Sequence, residues 1–114
     1  MALGLYRTGR FAQAEAAFRA FLEAYPNSRL TPNALYWMGE TFYSRGMFSD
    51  AIFAFKDVQA RFPRHAKTPD SLLKTALAYS RLGDRQNAEL HLTVLKEDWP
   101  KSEAVARAKQ MGLF

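Results

Sequence analysis

The 114-residue chain contains no cysteine. That excludes disulfides and thiolate metal sites. It leaves the compartment open, because a reducing cytosol and an oxidising periplasm both tolerate a chain with nothing to oxidise. No uninterrupted apolar run approaches the roughly 18 residues of a membrane span. Met1-Ala2-Leu3-Gly4 has neither a charged n-region nor an apolar h-region, so no signal peptide is read there. HExxH, GxSxG and Gly-rich phosphate-loop sequences are all missing. Charge of one sign is not concentrated either. Sixteen Lys and Arg against eleven Asp and Glu give +5, but the cations run the whole length with acids between many of them. Such a pattern reads as a solvated surface, densest from Arg61 to Lys67.

What the chain does have is a ruler. Glycine stands at 9, 46 and 83 and proline at 26, 63 and 100, and both series step by 37 residues. Ala14, Ala51 and Ala88 keep the same step, as do Phe18, Phe55 and Leu92, and Tyr25, Phe62 and Trp99. A fixed period in the range of about 20 to 50 residues marks a solenoid, in which each unit buries its apolar face only against its neighbours. Solenoids present extended surfaces and usually lack a catalytic pocket. One domain of this length buries roughly two-thirds of the surface its unfolded chain exposes.

The middle unit is complete. Thr31-Pro32 is a helix start, threonine as a cap and proline in the first turn. Leu35, Met38, Gly39 and Phe42 then recur at three- and four-residue steps on one helical face. Gly46 suits the left-handed C′ position that ends this helix. Phe48, Ala51, Ile52, Phe55, Val58 and Phe62 build a second helix, which Pro63 stops. Gly39 costs about 1 kcal/mol against alanine in a helix, so close packing of the paired helix is expected there. Ala76 and Ala88 hold the matching small positions in the third unit.

These landmarks resemble the tetratricopeptide pattern, a helix–turn–helix unit of about 34 residues, here with a longer turn between units. Thr75 and Arg85 depart from it at places usually apolar or aromatic. The expected fold is all-α: one tetratricopeptide solenoid of antiparallel helix pairs over residues 1–114. Repeat 1 (1–26) is incomplete, repeat 2 spans 32–63 and repeat 3 spans 69–100; a capping helix at about 102–110 starts from Ser102. Projected backwards, the first helix would start about five positions before Met1, as expected for a fragment of a longer protein.

The wording between units is narrower than a generic repeat. Tyr25-Pro26-Asn27-Ser28 leads to Pro32-Asn33-Ala34-Leu35-Tyr36-Trp37-Met38-Gly39-Glu40, and the third unit follows with Thr68-Pro69-Asp70-Ser71-Leu72 and closes on Asp98-Trp99-Pro100-Lys101-Ser102. This resembles the C-terminal domain of the CpoB/YbgF family of Tol–Pal-associated periplasmic proteins of Gram-negative bacteria. The resemblance implies a periplasmic, non-enzymatic adaptor that binds TolA and coordinates peptidoglycan synthesis with outer-membrane constriction during division. It also implies a trimerising coiled coil upstream, no cofactor, and peptidoglycan synthases as further partners. A similar long-linker pattern occurs in the outer-membrane assembly lipoprotein BamD, which has more repeats and a lipidated cysteine.

Most aromatics fall on packing landmarks, and His65 and His91 read as solvated or partly packed side chains rather than ligands. Tyr36, Trp37 and Tyr43 fall off the landmarks, on the side of the first helix that lines the concave groove of such arrays. The expected partner-binding set is Asn33, Tyr36, Trp37, Glu40, Tyr43 and Ser44 from one helix, with Asp70, Leu73, Lys74, Leu77, Ser80 and Arg81 at the matching places of the next. Tyr6 and Arg7 join from the first. Rings beside a few charges suit a peptide or helix docked in a groove. The bland alternative is that Tyr36 or Trp37 packs on a neighbouring repeat. A basic nucleic-acid-binding repeat, stacking bases on the rings, is the competing functional class.

Overall fold

Gly9, Gly46 and Gly83 have φ of 79°, 75° and 80°. This is the left-handed conformation that ends a helix most cheaply at glycine. Each is followed by one residue before the next helix begins, so each turn folds a helix back on its predecessor. The computed structural model describes residues 1–114 as α1 (Ala2–Arg7), α2 (Phe11–Ala24), α3 (Thr31–Ser44), α4 (Phe48–Arg61), α5 (Lys67–Arg81), α6 (Arg85–Asp98) and α7 (Glu103–Gln110), with no strand. The expected all-α solenoid of antiparallel pairs is the fold observed.

The turns between pairs use threonine differently from the expected cap. Leu30 holds the N-cap position of α3 without a side-chain cap. Thr31 is instead fully buried, and its hydroxyl donates backwards to the Tyr25 carbonyl at 3.1 Å. Thr68 does the same to the Phe62 carbonyl. Each hydroxyl is a second donor to a C-cap carbonyl of the previous helix, which also accepts from the Ser28 or His65 N–H of the turn, and so ties one unit to the next. Ser102 does cap α7, its Oγ accepting from the Val105 N–H at 3.2 Å.

Each helix packs on the next, and α3 also touches α5, as α5 touches α7. The first helices of the pairs therefore form one wall and α2, α4 and α6 the opposite one. The core runs along the stack in three clusters, centred on Phe18, on Phe55 and on Leu95. Leu22, Trp37 and Met38 pack on both of the first two clusters and join them. Thr75, which breaks the sequence pattern, is fully buried yet satisfied: it donates to the Ser71 carbonyl at 2.7 Å and accepts from Gln59 Nε2 of α4 at 2.9 Å. Arg85 breaks it differently. Tyr6 packs on Phe11 and Tyr43 on Phe48 across the first two turns. Ser80 and Arg85 hold the equivalent places in the third, and a cleft of about 380 Å³ opens beside them against Ala76, Leu92 and Leu113.

At Gly39, α3 and α4 approach closely. A Cβ on Gly39 would lie 2.6 Å from the Phe55 ring, and Phe55 itself is fully buried. Gly39→Ala gains helix propensity but forces that ring aside, and overpacking of this kind costs about 1–3 kcal/mol. The third unit meets the same positions with Ala76 and Leu92. We therefore predict that Gly39→Ala lowers the urea midpoint, and that Gly39→Ala with Phe55→Leu is less destabilised than the sum of the single changes. Strict additivity in that double-mutant cycle would show that the ring does not set the spacing.

Candidate functional site

The wall built from α1, α3 and α5 brings together most of the residues expected from sequence, but in distinct roles. Tyr36 is 4% exposed and belongs to the core around Phe55, with ring centroids 5.6 Å apart. It forms the floor of the wall rather than a free surface ring. Glu40 is nearly as buried, and Leu73, at 1%, packs in the cluster with Leu95 and α7. Asn33, Trp37, Tyr43, Asp70, Lys74 and Leu77 are half-buried, and Arg7, Ser44, Ser80 and Arg81 are exposed. Tyr6 crosses from α1 to α3: its ring lies 5.3 Å from Trp37 and its hydroxyl is 3.3 Å from Ser44 Oγ.

A polar chain runs over this floor. The Tyr36 hydroxyl donates to Glu40 Oε2 at 3.3 Å, and Lys74 Nζ lies 3.1 Å from Glu40 Oε1. Burial, and then the neighbouring charges of Glu40 and Asp70, push the Tyr36 hydroxyl well above its ordinary range. It therefore stays protonated as a donor to a carboxylate that is itself paired, which is how a nearly buried charge is tolerated.

Cations of α5 lie on aromatic rings of the preceding pair. Lys67 Nζ is 4.7 Å from the Tyr36 ring centre and 5.3 Å from that of Trp37. Lys74 Nζ is 4.6 Å from Tyr43, and the Arg81 guanidinium is 4.8 Å from Phe48. A cation over a ring within about 6 Å is held by the ring quadrupole. Lys67 and Phe48 are the residues that sequence reasoning missed. Lys67 ends the densest run of cations and lies between repeats 2 and 3 in the sequence, yet it opens α5, and its seven-residue spacing to Lys74 and Arg81 is a legible signal that the three share a face.

Beyond Trp37 the wall continues into an apolar cleft of about 470 Å³ between α1, α2 and α3, lined by Leu3, Phe18, Phe21 and Leu30, with Lys67 at its edge. No group of three His, Asp or Glu side chains is placed to hold a metal ion. His91 is nearly buried, with Nδ1 2.9 Å from the Asn87 carbonyl and its ring against Tyr79. No helix is long and apolar enough to cross a membrane. What this wall offers chemically is contact: half-buried rings, an aliphatic side chain and positioned cations.

Two tetratricopeptide repeat family models match the chain, one over residues 1–66 and the other over residues 70–102. Over 45 residues, 40% of this chain, it is 44% identical to proteins named cell division coordinator CpoB from Pseudomonas putida, one of them from strain KT2440. The matched stretch spans 17% of the length of those curated relatives.

Asp70 gives this wall a pH signature. Burial raises its carboxyl above the ordinary range, with Glu103 in the same direction and Lys67 and Arg107 opposing. A carboxyl raised in the folded state is a cost that is fully present above its folded pKa and absent below the unfolded one. Asp70→Asn is therefore expected to raise the thermal midpoint near pH 7, with the gain shrinking as pH falls and gone by about pH 3. A gain that persists unchanged at low pH would contradict the burial account.

Proposed function

The chain belongs to the tetratricopeptide repeat family, whose stacked helix pairs bind other proteins, and from that premise we propose that it is a non-enzymatic adaptor of the Gram-negative cell envelope. In this reading it works in the periplasm, binds TolA through the wall of α1, α3 and α5, and helps coordinate peptidoglycan synthesis with outer-membrane constriction during division. The observation that carries the binding surface is the run of half-buried Trp37, Tyr43 and Leu77 beside Lys74 and Arg81, aligned on successive first helices. Aromatic and Arg side chains in such settings commonly dominate affinity. The partial similarity to CpoB supports the envelope and division setting.

The buried position of Tyr36 shapes the test. Tyr36→Ala would remove core as well as surface, so Trp37 and Tyr43 are the informative anchors. Calorimetric titration with the periplasmic part of TolA should show binding that survives moderate salt. Trp37→Ala or Tyr43→Ala should weaken it by more than about 1 kcal/mol while the helical circular-dichroism spectrum is kept. Absence of binding, or wild-type affinity in both folded variants, would remove this reading.

A further inference from the structure

Lys67, Lys74 and Arg81 are spaced seven residues apart on α5. At 1.5 Å rise and about 3.6 residues per turn, that places them along one face roughly 10.5 Å apart. All three lie over rings of the preceding pair, at 4.6 to 4.8 Å from the nearest ring centre. Their side chains are thus held in place before any partner arrives. Neither Lys67 nor Arg81 has a carboxylate within 4.0 Å, and Lys74 is paired with Glu40 alone. Leu77 stands half-buried between Lys74 and Arg81.

We infer that this face takes an acidic α-helix of a partner protein, lying along α5, with Asp or Glu recurring every seven residues. The inference rests on the protein-binding reading above. The spacing selects a helix over other peptide shapes. A strand shows the same face every second residue, at about 6.7 Å or 13 Å, and neither matches the cation stripe. A polyproline II segment repeats every three residues at about 9.3 Å, and loses register by the third cation. A helix beside α5 repeats every seven residues with the same rise, so every carboxylate meets a cation. The half-buried rings and Leu77 then face the apolar positions between those carboxylates. Preorganised cations lower the ordering cost of the contacts.

The test uses the chain as it stands, titrated with stapled helical peptides, because short helices are marginal in water. One peptide carries three glutamates at seven-residue intervals; its isomer has the same composition with the glutamates adjacent. The spaced peptide should bind about tenfold more tightly. Lys67→Glu with Arg81→Glu should abolish that preference, and a peptide carrying lysine at the two matching positions should restore binding to this variant. Equal affinity for both peptides would overturn the inference, as would tighter binding of a single-stranded oligonucleotide than of the spaced peptide. TolA separates the two levels. If it binds the wild-type chain and the double-charge variant equally well, the acidic-helix inference is overturned and the adaptor reading stands. If it binds neither while the spaced peptide binds as expected, the inference stands and the TolA assignment falls.

Discussion

A phenylalanine ring seated where another residue lacks a side chain sets the spacing of the central helix pair. Phe55 of α4 lies against the bare backbone of Gly39, so α3 and α4 approach more closely than any side chain at 39 would allow. That approach buries Phe55, Ala51 and Val58 completely and places Tyr36 beneath the wall. Removing a buried phenylalanine ring typically costs about 3–5 kcal/mol. Because no helix pair here buries its apolar face alone, the same spacing governs how the next pair docks. Trp37 and Met38 show the consequence, since they serve the clusters on both sides.

The wall of first helices inherits its order from this packing. Tyr36 is fixed in the core, and its hydroxyl holds Glu40, which holds Lys74. Trp37 is steadied by the rings of Tyr6 and Tyr36. A surface assembled in this way changes little on binding, which favours affinity over adaptability. The opposite wall has a different character. Phe53 on α4 is 82% exposed and Leu90 occupies the equivalent place on α6, but no comparable set of cations and rings connects them.

Much of the architecture was legible because the period reports packing directly. The glycines marked the turns, Ser102 the start of α7, and Gly39 the close contact, each through a requirement that few residue types meet. Threonine was harder. Thr31 looks like a helix cap, yet the long turn brings its hydroxyl to the carbonyl of Tyr25, a contact that depends on how two pairs stack. The site divided along the same line. Periodicity placed Tyr36 and Trp37 on one side of α3, but could not say which ring the neighbouring helices would cover. It also left Lys67 outside repeat 3, because the start of α5 lies before the Thr68-Pro69 signal that sequence offers.

The central claim is that the wall of first helices, not the outer wall, receives a protein partner. Isotope-edited NMR of the labelled chain titrated with the periplasmic part of TolA tests it most directly. The account predicts shift changes at the Trp37 indole and at the amides of Tyr43, Leu77 and Arg81, with Phe53 and Leu90 unmoved. Changes centred on Phe53 and Leu90, with the Trp37 indole unmoved, would contradict it.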